Sequence, residues 1–242
     1  MITDIVLSTK NRLPLLMRTL DHIFERTTSP YRLHVIDDVS TAGNVEYLKC
    51  LRAEGKLASL ILHRQSKEMG ANWNEAAKIA KSKILVYTED DVLCPKLSPD
   101  WLARGLRAMA KSPRMGMLAL NAPTGRQSLR DRKRIGTITI CNKVGYTFTF
   151  IRLAQMKQII IPRSGGKLAG VVLGKRGNHM ISACARAMRA GGFEVGYLTN
   201  VYCQHIGAIS ERKDIDLSAR LIEPLDADTL QPPPGWRKNE YA

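Results

Sequence analysis

A bilayer-spanning stretch is the first thing this chain of 242 residues lacks: no run approaches the ~18 apolar residues that a spanning helix needs. Its opening, MITDIVLSTKNR, has no basic segment ahead of an apolar one, so neither secretion nor membrane insertion is expected. Paired cysteines are missing too. The five present (Cys50, Cys94, Cys141, Cys184 and Cys203) are scattered, odd in number and free of CxxC, which excludes a disulfide framework and a thiolate zinc site. A reducing, cytoplasmic setting is the expectation. At 44% hydrophobic and 24% charged residues the chain can bury a real core, at roughly 100–200 residues per domain.

Acid is the scarcity that says most. From Trp101 to Phe193 there are 18 basic residues and a single acid, Asp131, a balance of +17, while everything outside that window sums to −2. The chain is electrically two pieces. A field this lopsided attracts polyanions such as nucleic acid or an anionic lipid surface, although a block of like charge also occurs as a merely solvated face.

The first hundred residues alternate strand and helix, and no internal repeat interrupts them. Asp4–Ser8 reads as a strand, and Pro14 opens a helix whose Leu15, Leu16, Leu20, Ile23 and Phe24 recur at helical spacing. Arg32–Ile36 is a second strand, followed by a helix over about 43–54 that Ser40 or Thr41 is placed to cap. Leu60–Leu62, a helix over Asn72–Ser82, and Ile84–Tyr87 complete the series. Repeated βα units imply a largely parallel sheet in three layers. Further on come a helix over Pro99–Lys111, strands at Gly116–Leu120, Ile135–Cys141 and Tyr146–Ile151, and a helix over 176–190 ending at Gly191-Gly192. Short strands at Glu194–Leu198 and Val201–Cys203 lead to His205, and Pro232 to Pro234 mark an extended tail.

Ligands of such sheets gather beyond the carboxyl ends of the strands. Three polar clusters stand there: Thr9-Lys10-Asn11-Arg12, Asp37-Asp38 and Glu89-Asp90-Asp91. Crowded carboxylates repel one another at a cost that a divalent cation or a ligand's donors can offset. That pattern suits a hard metal and a phosphate substrate. Basic side chains near that edge, Lys10, Arg12 and Arg64, would help, and Gly70 would permit close backbone approach.

Taken together, DIVLSTKNR, VIDDVST and MGANWNEAAKIAKSKILVYTEDDV resemble the strand-and-loop motifs of GT-A glycosyltransferases, family 2 in particular, over about residues 3–110. GGFEVGYLTNVYCQHIG resembles that family's C-terminal strand and final histidine. The resemblance implies an α/β, GT-A fold: a Rossmann-like nucleotide-binding half with a mixed, mainly parallel sheet and helices on both faces. It implies a nucleotide-sugar half over 1–120, an acceptor half of the same domain over 121–230, and a proline-rich tail over 231–242. It implies Mn²⁺ or Mg²⁺, and a nucleoside-diphosphate sugar, UDP-linked, as donor.

By the same resemblance Thr9, Asn11 and Arg12 form the lip of the nucleotide pocket, with Asn72 beside it. Asp38 accepts from the base N–H while Asp37 shapes the loop. Glu89 and Asp90 face ribose or metal waters, Asp91 is the metal ligand, and His205 the C-terminal metal or diphosphate ligand. Inverting members carry an acid pair before the last long helix, and here that stretch is Gly177-Asn178-His179-Met180. His179 is therefore the candidate general base, its ordinary pKa near ~6.5 suiting the task; the alternatives are transfer with retention of configuration or a base from elsewhere in the chain.

For the acceptor, only charge speaks. Arg126, Arg130, Arg132, Lys133 and Arg134 fall in one loop on the acceptor side, which points to nucleic acid, such as a hydroxylated base in viral DNA, with a saccharide or lipid-linked acceptor as the alternative. In the viral case the setting is the host cytoplasm. A non-catalytic nucleic-acid-binding protein is disfavoured by acids that would weaken a phosphate-binding surface. A nucleotidyltransferase is disfavoured by the lack of a glycine-rich phosphate loop after the first strand.

Overall fold

The computed structural model describes residues 2–122, 133–145, 147–160, 178–207 and 226–232. Nine strands form one sheet in the order β3-β2-β1-β4-β9-β6-β10-β8-β7. The first four are β1 (Thr3–Thr9), β2 (Tyr31–Asp37), β3 (Ser59–Leu62) and β4 (Ile84–Glu89), all parallel. Every residue of β1 is buried, as a central strand covered on both faces requires. Then follow β5 (Val92–Leu93), β6 (Met115–Asn121), β7 (Arg134–Ile135), β8 (Ile138–Ile140), β9 (Thr149–Arg152), β10 (Glu194–Tyr202) and β11 (Gln204–His205). Strand β9 runs antiparallel between β4 and β6, so a strand from after residue 120 is laced into the first half of the sheet. The sheet is mixed and mainly parallel, as expected.

Helices cover both faces. On one side Leu16, Leu20 and Ile23 of α1 (Leu13–Arg26), Leu48 and Leu51 of α2 (Ala42–Ala53), and Trp101, Leu102 and Met109 of α4 (Trp101–Lys111) share a core with Ile5, Leu7 and Phe150. On the other, Trp73, Ala76 and Ala77 of α3 (Glu68–Ile79) and Ile181, Ala185 and Met188 of α6 (Asn178–Ala190) pack on Val6, Tyr87 and Ile151. Between β9 and α6 the chain makes a helical turn α5 (Leu153–Gln155) that runs into a π-helical turn at Met156–Ile160. No helix among the described residues is long and apolar enough to cross a membrane.

Several local expectations are corrected. Helix α3 starts four residues early and stops at Ile79, because the backbone N–H groups of Lys81 and Ser82 are captured by the Asp4 carboxylate rather than by a further helical turn. Thr41 is the N-cap residue of α2 but its side chain makes no capping bond, and Ser40 Oγ instead accepts from the Asn11 N–H at 2.8 Å. The run Ile135–Cys141 is not one strand. Gly136, at φ 58°, turns it into the β7–β8 hairpin, a conformation that side chains with a Cβ resist. Conversely, the two strands expected after residue 193 are one continuous β10 with two register shifts along β6.

Candidate active site at the carboxyl ends of β1, β2 and β4

Strands β1, β2 and β4 end together at Thr9, Asp37 and Glu89, which brings the three polar clusters to one sheet edge. The last connection is made by a part of the fold that the sequence did not show. Strand β5 pairs antiparallel with β11, His205 opposite Val92, so the C-terminal histidine is carried alongside Asp91. His205 Nε2 lies 3.4 Å from Asp91 Oδ1.

Glu89, Asp91 and His205 each offer a ligand atom, and these atoms lie within 4.8 Å of one another. Among the described residues this is the group that could hold a metal ion. Glu89 Oε1 and Asp91 Oδ1 are buried without a hydrogen-bond partner, a costly state that a cation would relieve. Two carboxylates suit Mn²⁺ or Mg²⁺, and the imidazole favours Mn²⁺ of the two, so the residues fit the expected ion.

Asp90 turns the other way. Its Oδ2 accepts from Thr9 Oγ1 at 2.7 Å and from the Lys10 N–H at 3.2 Å, and Oδ1 faces Arg12 Nη2 at 3.0 Å in an ion pair without hydrogen-bond geometry. Thr19 Oγ1 holds its backbone carbonyl at 2.9 Å. Asp90 therefore fixes the β1 loop and Arg12.

Electrostatically the edge has too many anions. One guanidinium serves three acids: Arg12 Nη1 bonds Asp91 Oδ2 at 2.6 Å. Burial, and then the charges of Asp91 and Asp90, push the Glu89 carboxyl well above its ordinary range. Burial pushes Asp90 up to about 6 although Arg12 and Thr9 pull it down. Burial works against the Arg12 cation, but the charges of Asp90, Asp91 and Glu89 hold its pKa above the usual value.

Asp38 shows the opposite balance. It accepts from Ser66 Oγ at 2.6 Å and the Lys67 N–H at 2.8 Å, with His63 Nδ1 at 3.2 Å and Lys10 Nζ at 3.5 Å. Burial raises its pKa, and these donors outweigh it and bring the value to about 2. Asp37 shapes the loop through Oδ1, which accepts from the Ser40 N–H at 2.9 Å, while its Oδ2 is buried without a partner. Asn11, at φ 55°, ties the β1 and β2 loops together, its Oδ1 accepting from the Thr41 N–H at 2.7 Å. Asn72 lies buried inside α3 rather than at its start, with Oδ1 unpartnered.

Sequence reasoning missed four residues here. His63 and Ser66 follow β3 as the other clusters follow their strands, and that position was the available signal. Glu75 carries no signal beyond its place on α3. Gly207 is required by close approach: a Cβ there would stand 1.7 Å from Asp91 Oδ2. Of the acceptor-side candidates, Lys133 is exposed and exposed Arg134 opens β7 at the far edge of the sheet. β7 is five strand spacings from β4, about 24 Å, so these two are not brought into the carboxylate site. Arg126, Arg130 and Arg132 lie outside the described residues, as does the side chain of His179, whose backbone is in the first turn of α6.

A family model described as glycosyl transferase family 2 matches residues 4–190. No curated protein sequence matches significantly. Among solved structures, a mannosyltransferase from Pyrobaculum calidifontis in complex with GDP-Man and Mn²⁺ is 16% identical at a TM-score of 0.64, over 84% of this chain and 56% of that one. GalNAc-T7 with UDP, GalNAc and Mn²⁺ is 14% identical at 0.63, over 84% and 43%. S. aureus TarS 1–349 in complex with UDP-GlcNAc is 13% identical at 0.59, over 90% and 61%. The likeness to these structures is one of fold, and the matched part is about half the length of each.

Proposed function

The chain belongs to glycosyl transferase family 2, and on that premise we propose that it moves a sugar from a nucleoside diphosphate to an acceptor hydroxyl at the carboxyl edge of β1, β2 and β4. The observation that carries this reading is the Glu89–Asp91–His205 group, its histidine half-buried and two of its carboxylate oxygens buried without a hydrogen bond. A divalent cation held there would supply Lewis-acid stabilisation of the departing diphosphate. The solved structures of like fold that contain Mn²⁺ with GDP-Man or with UDP support that choice of ion and donor class.

The protein's own groups do the rest. Arg12 holds Asp91 and Asp90 in place and adds positive charge beside the diphosphate. Asp90 anchors Thr9 and the Lys10 backbone, which keeps the lip of the pocket in register. Asp38 accepts from the base N–H, and Asp37, Asn11 and Asn72 complete the nucleotide pocket. His179, in the first turn of α6, takes the proton of the acceptor hydroxyl, for which the imidazole must be neutral.

The proposed acceptor is nucleic acid bearing a hydroxylated base, in the setting of a viral infection, and the support for it is the +17 window. Exposed Lys133 and Arg134 sit about 24 Å from the carboxylates by strand spacing, a separation that an extended polyanion can bridge. Binding of uridine diphosphate tests the donor reading: it should raise the thermal midpoint only when Mn²⁺ or Mg²⁺ is present. A shift of equal size without metal would sink the metal assignment. The acceptor reading requires DNA affinity that falls steeply with salt, and a protein that binds anionic vesicles or oligosaccharides but no DNA at low salt transfers to those instead.

A further inference from the structure

The residue that follows β3 has no role in the transfer described above. His63 is buried, its side chain 2% exposed, and both ring nitrogens face carboxylates. Nδ1 lies 3.2 Å from Asp38 Oδ1 and Nε2 lies 2.7 Å from Glu75 Oε2. The ring is thus held between two carboxylates, one at each nitrogen. Lys67 closes the set, with Nζ 3.0 Å from Glu75 Oε1 and its backbone N–H on Asp38 Oδ1.

The two oxygens of Asp38 are therefore held in different ways. Oδ1 is fixed by a buried ring and a backbone N–H. Oδ2 is met by the Ser66 hydroxyl and, at 3.5 Å, by the Lys10 ammonium, both on exposed residues. A rotatable hydroxyl and a flexible ammonium can yield to an incoming N–H. A buried ring braced on a second carboxylate cannot turn away without stranding charged groups.

We propose that His63, braced by Glu75, is a positioning residue that locks Asp38 Oδ1 and leaves Oδ2 as the single acceptor for the donor's nucleobase. The proposal rests on the reading of Asp38 as the base acceptor. A single free acceptor matches the one N–H on the edge of uracil, whereas guanine presents N1–H and N2–H side by side and needs both oxygens. Ser66 and Lys10, once displaced, are donors for the carbonyls that flank the uracil N–H.

The test compares uridine diphosphate, guanosine diphosphate and inorganic pyrophosphate, each with Mn²⁺, by calorimetry on the full chain. Pyrophosphate reports the diphosphate and metal subsite without a base. Wild type should prefer uridine to guanosine diphosphate. His63→Gln should bind uridine diphosphate about tenfold more weakly, the worth of one well-placed bond to a charged group, with pyrophosphate unchanged. Glu75→Gln keeps the ring and gives Nε2 an amide oxygen, so it should stay within about twofold of wild type. If His63→Gln does not fold, Glu75→Leu, which removes the brace, should show the same selective loss at smaller amplitude. Equal weakening of His63→Gln toward uridine diphosphate and pyrophosphate, no change in either, or a wild type that prefers guanosine diphosphate overturns the proposal. A wild type that binds none of the three overturns the sugar-transfer reading beneath it.

Discussion

Asp4 and Asp91 are both buried aspartates at the same sheet, one at the entry of β1 and one just past the exit of β4, and their surroundings are opposite. Asp4 receives Arg32 Nε and Nη2 at 2.7 and 3.0 Å, His34 Nε2 at 3.0 Å, and the Lys81 and Ser82 N–H groups at 2.6 and 2.7 Å. Burial raises its pKa, and those donors more than reverse this and hold it far below the ordinary range. Asp91 shares one guanidinium with Asp90, keeps an unpartnered Oδ1, and sits beside a Glu89 pushed in the opposite direction. A carboxylate that the fold satisfies holds the fold together. One that the fold buries and leaves short of donors is available to something from outside.

The contrast is sharpest in Asp91→Asn. Transfer should fall by about a thousandfold, the scale at which loss of a group stabilising the leaving charge is felt. The thermal midpoint of the metal-free protein should not fall, because removing one of three crowded carboxylate charges offsets the weakened Arg12 Nη1–Asp91 Oδ2 bond. Assaying donor turnover and melting on the same sample checks both, and a destabilised but active variant would place Asp91 with Asp4. Gly207→Ala reaches the same carboxylate without touching its chemistry. Its Cβ would meet Asp91 Oδ2 at 1.7 Å and Arg12 Nη1 at 2.9 Å, and displacement on that scale should cost on the order of a hundredfold in turnover. Wild-type turnover in this variant would show that the Asp91 position is not critical.

How much of this was legible in the sequence follows the range of the interactions. Periodicity placed β1 to β4 and α1, and the spacing of polar residues after strands singled out Arg12, Asp38, Glu89 and Asp91, which the structure brings to one edge. These are local signals. The β5–β11 pairing joins residues more than a hundred positions apart through two-residue strands too short to show a period, so nothing local announces why His205 meets Asp91. The end of α3 was misread for a related reason, since Asp4, 77 residues upstream, takes the Lys81 N–H. Gly207 and the His63–Glu75 pair depend on approach distances that no motif carries.

At the satisfied end, Asp4→Asn should lower stability by about 3 kcal/mol, the scale of breaking a buried charge network, with turnover per folded molecule unchanged. The pH dependence has a definite sign. The folded pKa of Asp4 is depressed, so its contribution is complete above the unfolded value near ~3.9 and is lost as pH falls through the folded one. The gap between wild type and variant should be full at neutral pH and narrow below about pH 4. Urea midpoints at both pH values measure it, and a gap that widens in acid would contradict the role assigned to the carboxylate.

The smallest effect concerns backbone strain, which also gathers at the donor edge. Val39 follows Asp38 at φ 65°, and Asn11 faces the same loop at φ 55°. Asparagine tolerates the left-handed region, but a β-branched side chain there is strained. Val39 is 37% exposed and joins none of the hydrophobic core clusters, so core packing does not offset the strain. Val39→Gly relieves about 1–2 kcal/mol of steric cost and returns about 0.4–1 kcal/mol through the freer unfolded chain. A net gain of about 0.5–1 kcal/mol in stability is expected, read as a higher urea midpoint at unchanged slope. Uridine diphosphate affinity should change little if Val39 only tolerates its conformation. A variant that gains stability and loses that affinity would show that the strained valine holds Asp38 ready for the base.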